Sequence, residues 1–362
     1  MAAHEGPVVR EHRAGERSEA VDRATKQKGD GPLWAVAVSG GGDSLALMHL
    51  LRAFARASKA KPPVVLTVDH GLRKSSAADA KNVERWAKQA GLTVHVLAWR
   101  GTKPKSGIEA AAREARYRLM GAWLTKHKIG TLFVGHTLDD QAETFLLRLA
   151  RGSGLDGLAA MRVRAPWPCS GFPGLTLARP LLGFGREALR AYLGALGQDW
   201  LDDPMNDDDA FDRVKIRKAR AALAQAGLSA ARIAAAATHL ARARESLEIV
   251  TEAVLVRALR RREDAPGVLL DPAVLAAAPR EVGLRALASV LMAVGEQRYR
   301  PRFEALERLF DRLAGEGLGR GATLHGCHIR PTSGPEKDFA LFSLVVAPES
   351  PRKTASSAIG RA

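Results

Sequence analysis

From Trp34 to Ala150 the chain alternates short apolar runs with stretches of helical spacing, and this rhythm constrains the fold more than any other feature. WAVAVS (34–39), VVLTVD (64–69), TVHVLAW (93–99) and TLFVGH (131–136) read as strands. Helical patterns follow each of them, at 43–57, 77–90, 108–127 and 138–150. Strand and helix at this spacing imply an α/β fold with a parallel sheet covered on both faces. Ligands of such sheets sit beyond the carboxyl ends of the strands. The chemistry is therefore expected in SGGGDS, DHGLR and GHTLDD, each of which directly follows a strand.

Three bare glycines in SGGGDS let oxyanions approach backbone N–H groups, and the helix that follows offers its positive end. Ser39, Gly40, Gly41, Gly42, Asp43 and Ser44 are thus candidates for a phosphate cradle. No Walker lysine follows; Asp43 stands there instead, and a carboxylate beside phosphates implies a divalent cation, Mg²⁺, between them. The same residues also suit a plain glycine turn with Asp43 or Ser44 as helix cap. In HTLDDQAET, Asp140 and Glu143 share a helix face, with His136 at its entry. Such carboxylates can bind Mg²⁺, hold an ammonium or accept a proton, or join His136 in a metal site; Asp139 suits the helix dipole. His70 closes the second strand, and Arg113, Arg116, Arg148 and Arg151 lie on nearby helical segments with guanidiniums suited to phosphate.

Composition narrows the partner. The 362 residues carry 55 Lys and Arg against 39 Asp and Glu, a formal charge of +16, which suits nucleic acid or an anionic surface. Two unpaired cysteines argue against a disulfide scaffold, a zinc cluster or cysteine-based sulfur transfer. No run of eighteen apolar residues is present, so the expectation is a cytoplasmic protein that does not enter a membrane. A disordered extension is expected over 1–30, with six basic and six acidic residues, then a nucleotide-binding domain over 31–212. A basic helical linker over 213–262, with 12 basic and 4 acidic residues from Phe211 to Arg262, leads to a small α+β domain over 263–348 and a tail over 349–362.

SGGGDS, VDHGLR, IEAAAREARY, GHTLDDQAETFLLRLARGSG, RPLL and DDPMN occur in one order over roughly 34–217. Together they resemble the PP-loop (N-type ATP pyrophosphatase) superfamily, and within it the tRNA(Ile)-lysidine synthetase family. SGGxDS marks the superfamily; the long GHTLDDQAET stretch with VDHGLR is more specific. The resemblance implies ATP-dependent attachment of L-lysine to the wobble cytidine of an isoleucine tRNA with a CAU anticodon. In that chemistry the cytosine C2 oxygen attacks the α-phosphate of ATP, pyrophosphate leaves, and the lysine ε-amine displaces AMP. It further implies that the glycine loop binds ATP with Asp43 near Mg²⁺, and that Asp43, His136, Asp140 and Glu143 serve catalysis. Asp140 and Glu143 would bind lysine or deprotonate it. Arg73, Arg113, Arg151, Arg213, Lys215 and Arg217 would contact tRNA or phosphate. Where the family often carries an RNRIR-like run, this chain reads RVKIR (213–217), keeping the charge but placing Val214 at the asparagine position.

Overall fold

The computed structural model describes residues 34–349, except Lys74, Lys105, 203–211, Asp264, Arg298, Glu316 and 334–340. The expected extension (1–30) and the tail beyond Glu349 lie outside the described residues. The chain forms two compact units that divide between Ala241 and Arg242.

In the first unit the sheet runs β3 (Val94–Ala98), β2 (Val64–Asp69), β1 (Ala35–Ala37), β4 (Thr131–Phe133), β6 (Thr176–Ala178), β5 (Arg164–Pro166). All pairings are parallel except β5 with β6. Two further strands, β5 and β6, lie beyond Ala150, where the strand–helix rhythm of the sequence breaks, at either end of the Pro/Gly-rich run 165–174. They are three residues each, too short for alternation to register, and Pro166 sits where the ladder ends at an edge. Alternation decides which core each side chain joins. Trp34, Val36 and Val38 face one core with Leu45, Met48, Trp86 and Leu193. Ala35 faces the other, with Leu66, Tyr117, Met120, Leu124 and Leu132. The helices covering these faces include α1 (Gly42–Ala57), α2 (Ser76–Gln89), α3 (Ile108–Lys126), α4 (Leu138–Ala150) and, after the single turn α5 (Leu155–Leu158), α6 (Arg186–Ala195).

Strand order reverses at β1. The chain proceeds outward through β2 and β3, then places β4 on the other side of β1. A crevice at such a reversal is where ligands of open α/β sheets bind. SGGGDS leaves β1 and GHTLDD leaves β4, so both loops meet there.

The stretch expected as a linker holds α7 (Asp212–Gln225), α8 (Ala230–Ala258) and the strand β7 (Leu259–Arg261), and the division between units falls inside α8. The second unit is an antiparallel sheet in the order β7, β8 (Val268–Leu270), β11 (Leu344–Pro348), β10 (Cys327–Pro331), β9 (Ala322–Leu324). It packs with α9 (Pro272–Ala277), α10 (Arg280–Val294) and α11 (Phe303–Ala314) around Leu270, Leu287, Leu291, Phe310 and Val346.

Candidate functional site

The glycine loop turns sharply at Gly40, whose φ of +95° lies in the left-handed region. Its carbonyl accepts a hydrogen bond from Leu201 N–H at 2.9 Å, and a Cβ there would come within 2.5 Å of Leu201 Cδ1. Gly40 is therefore buried under Leu201 and does not line the cavity, whereas Ser39, Gly41, Gly42, Asp43 and Ser44 do. Gly41 precedes α1 in an extended conformation with no side-chain cap. The Ser44 hydroxyl stitches the turn instead, donating to Gly41 O at 2.8 Å and accepting from Ser39 N–H at 3.2 Å. Neither Asp43 nor Ser44 caps the helix, so the plain-turn reading loses its capping group. The positive end of α1 opens onto a cavity of about 1120 Å³.

Across this cavity stands Arg186, at the first position of α6, which the sequence reading missed. Its Nε donates to Asp43 Oδ2 at 2.9 Å, its Nη2 to Asp140 Oδ1 at 3.3 Å, and its Nη1 lies 3.5 Å from Glu143 Oε1. Its backbone N–H donates to Asp139 Oδ2 at 2.7 Å, so Asp139 fixes the start of α6 as well as sitting in the first turn of α4. Burial alone would weaken the Arg186 charge, but the three carboxylates overcompensate and hold it firmly cationic. For Asp43 the balance tips the other way. Burial pushes its carboxyl above the ordinary range, Arg186 opposes this, and Asp140 and Asp139 add to the push. Asp43 Oδ1 is buried with no hydrogen-bond partner. A signal for Arg186 existed: the helix after β6 points its first turn at the same crevice, but β6 was not recognisable as a strand.

Asp140 divides its oxygens. Oδ2 accepts from Thr137 N–H at 2.8 Å in a capping box, while Oδ1 faces Arg186. Glu143, with a side chain only 3% exposed, accepts from Arg217 Nε at 2.7 Å and Nη2 at 3.2 Å. Its place on the ligand cavity is not as expected: one turn further along α4, it lines a separate pocket of about 200 Å³ with Leu146, Ile216, Leu223, Leu228 and Ile233. His136 does line the main cavity, and its Nδ1 accepts from Arg179 Nε at 3.2 Å, leaving a neutral ring's proton on Nε2. A metal site from His136, Asp140 and Glu143 is not formed. Arginines engage all three, and among the described residues no group of three or more His, Cys, Asp or Glu could hold a metal.

At the end of β2, Arg116 donates to His70 Nε2 at 3.3 Å through Nε. Burial, and then Arg116, lower the imidazole to about 4, so His70 is neutral near pH 7. Arg73, Arg113 and Arg217 line the cavity with Arg116, Arg186, Arg190 and Lys218, seven cations against the four carboxylates of Asp43, Asp79, Asp140 and Asp202. Arg151 and Lys215 are exposed and do not line it. Arg213 belongs to α7, and its side chain lies outside the described residues.

A parallel sheet whose reversal point carries a capless glycine turn beside a carboxylate defines the class, and residues 16–222 match the family model described as PP-loop domain. Over 295 residues the chain is 43% identical to the tRNA(Ile)-lysidine synthase of Ruegeria pomeroyi, covering 81% of this chain and 68% of that protein. The enzyme of the same name from Bradyrhizobium sp. BTAi1 is 39% identical, over 90% of this chain and 92% of that protein. That of Methylobacterium nodulans is also 39% identical, over 93% and 97%. The chain belongs to the PP-loop family and, within it, to the tRNA(Ile)-lysidine synthases.

Proposed function

We propose that this chain joins L-lysine to C2 of the wobble cytidine in the CAU-anticodon isoleucine tRNA, forming a C–N bond and converting ATP to AMP and pyrophosphate. The observation that carries this is the meeting of the glycine loop, Asp43 and Asp140 in one cation-lined cavity at the sheet's reversal point. Family membership supports the reaction, and the relatives' name, tRNA(Ile)-lysidine synthase, supports the tRNA substrate and the lysidine product.

In this reading the amides of Gly41, Gly42 and Asp43 and the positive end of α1 hold the pyrophosphate that departs when the cytosine oxygen attacks the α-phosphate. Holding the leaving group at the α1 turn makes a Walker lysine unnecessary, since no γ-phosphate is transferred. Asp43 fits Mg²⁺: its Oδ1 is buried and unpartnered, and a single carboxylate plus substrate phosphates is a common way to bind that ion. Mg²⁺ at that oxygen would neutralise charge on the phosphates. Asp140 and Glu143 already accept from guanidiniums, which favours holding the ammonium of lysine over removing a proton from it. The apolar pocket beside Glu143 would suit the aliphatic stem. Arg73, Arg113 and Arg217 would face phosphates, and the cationic lining would attract the tRNA backbone.

The test is incorporation of labelled L-lysine into acid-precipitable CAU-anticodon isoleucine tRNA with ATP and Mg²⁺. Incorporation with AMP release is expected, together with its loss in Asp43→Ala at retained tRNA affinity. Absence of label from the tRNA in the wild-type reaction overturns the proposal.

A further inference from the structure

Arg186 spends each of its three guanidinium nitrogens on a different carboxylate. Nε reaches the first turn of α1 at Asp43, while Nη2 and Nη1 reach α4 at Asp140 and Glu143. These helices follow β1 and β4, the two strands flanking the reversal point, and Arg186 itself starts the helix after β6. One side chain therefore ties together the loops leaving three neighbouring parallel strands. Its own placement is fixed from the backbone: Arg186 N–H bonds Asp139 Oδ2 at 2.7 Å, and Leu138 N–H bonds Phe184 O at 3.0 Å. The side chain is 20% exposed, so most of it is held by protein.

This arrangement has a consequence for Asp43. With Oδ2 engaged by Arg186, rotation of the carboxylate is restricted, and Oδ1 is the oxygen left without a partner. We propose that Arg186 is a positioning residue for the nucleotide: by bridging α1 to α4 it orients Asp43 so that Oδ1 is presented to the cation and phosphates of MgATP. The inference rests on the nucleotide reading of the cavity. It depends on the spread of the guanidinium, whose three nitrogens each face a different carboxylate; the ammonium of lysine has three donors but on one nitrogen, and would have to draw the carboxylates of two helices together to bond them all.

The experiment measures MgATP and MnATP binding to the full chain by calorimetry, without tRNA or lysine, for wild type, Arg186→Lys and Arg186→Gln. Thermal unfolding and the Mg²⁺ dependence of turnover are followed in parallel. Both variants are expected to bind MgATP about 10- to 100-fold more weakly, the loss usual when a group that orients a metal ligand is removed. Both should need a correspondingly higher Mg²⁺ concentration for half-maximal turnover, with part of the activity regained at excess Mg²⁺, while tRNA affinity stays at the wild-type level. Wild-type MgATP affinity in Arg186→Gln overturns the proposal. Full recovery in Arg186→Lys also overturns it, because charge alone would then suffice. If neither variant folds, the same binding comparison on Asp140→Asn, which removes one arm of the bridge, decides: unchanged MgATP affinity there refutes the bridge. Because the measurement uses neither tRNA nor lysine, wild-type protein that binds MgATP yet never labels tRNA would refute the assigned reaction and leave the role of Arg186 standing.

Discussion

Gly135, two residues after the end of β4, offers a sharp test of how the site is built. Its backbone needs no left-handed conformation, so any requirement for glycine is one of space. A Cβ there would lie 3.0 Å from Asp43 O and 3.1 Å from both Asp43 C and Ser44 Cα. All three are backbone atoms of the first turn of α1, so no side chain can swing aside. In Gly135→Ala either β4 or the glycine loop must retreat by a few tenths of an ångström. Overpacking of this kind costs about 1–3 kcal/mol. For a unit of this size that lowers the melting temperature by roughly 2–12 °C. Because the displaced turn is the proposed phosphate cradle, MgATP affinity should fall by about tenfold, as misplacement of a positioned group commonly does. Gly194→Ala is the control. It lies inside α6 with nothing within 4 Å of an added Cβ, and should gain about 1 kcal/mol from helix propensity alone. Differential scanning calorimetry and ATP titration of both variants make the comparison. A Gly135→Ala protein with wild-type melting temperature and wild-type ATP affinity would refute the close packing of β4 against the cradle.

Two further outcomes follow from buried charge. His70 titrates at about 4 in the folded chain against 6.5 in the unfolded one, so between these values the unfolded chain takes up the proton first and acid removes stability. Solvent screening of the half-buried ring holds the loss at pH 5 below the ~2 kcal/mol that the full shift would give, and His70→Gln should show a correspondingly shallower fall in urea midpoint between pH 7 and pH 5; a fall of wild-type steepness counts against a neutral, half-buried imidazole. Arg217→Met leaves the 3%-exposed Glu143, among the described residues, with Arg186 at 3.5 Å as its remaining cation, and should cost about 2–3 kcal/mol in denaturant unfolding. Adding Glu143→Gln should restore much of it, and a single variant of wild-type stability would show that the pair is not desolvated.

The sequence made the site legible wherever strand, loop and helix followed one another within a few residues. VVLTVD and the helix at 108–127 match β2 and α3 closely, and the three expected loops do meet at one cavity, because β2, β1 and β4 are neighbours in the sheet. What was hidden depended on pairing between distant segments. β6 is three residues long and becomes a strand only by lying beside β4. With β6 unrecognised, nothing marked the helix after it as facing the crevice, and Arg186 went with it. Gly40 carries a requirement that local sequence could not show: besides its left-handed φ, an added Cβ would meet Leu201, some 160 positions away. Glu143 shares a helix face with Asp140, yet the bulk of α7 and its Arg217 close over one turn of that face and leave the other open.

Charge offers an account of how the proposed nucleotide site would work without a Walker lysine. Asp43, Asp140 and Glu143 alone would present three negative charges, and a triphosphate would be repelled from the same crevice. Arg186 and Arg217 bind directly into that trio and bring its formal charge to −1. On the proposed reading, one divalent cation at Asp43 would turn the cluster to +1, and the positive end of α1 and the remaining cavity cations would add to the attraction. In that reading a bound cation would add to the attraction that the seven cations of the lining already exert on phosphate. Without the two arginines the trio would retain a net negative charge even after one divalent cation had bound. On the proposed reading the guanidiniums therefore do more than balance buried carboxylates: they set the charge at which a single metal ion would reverse the sign of this trio.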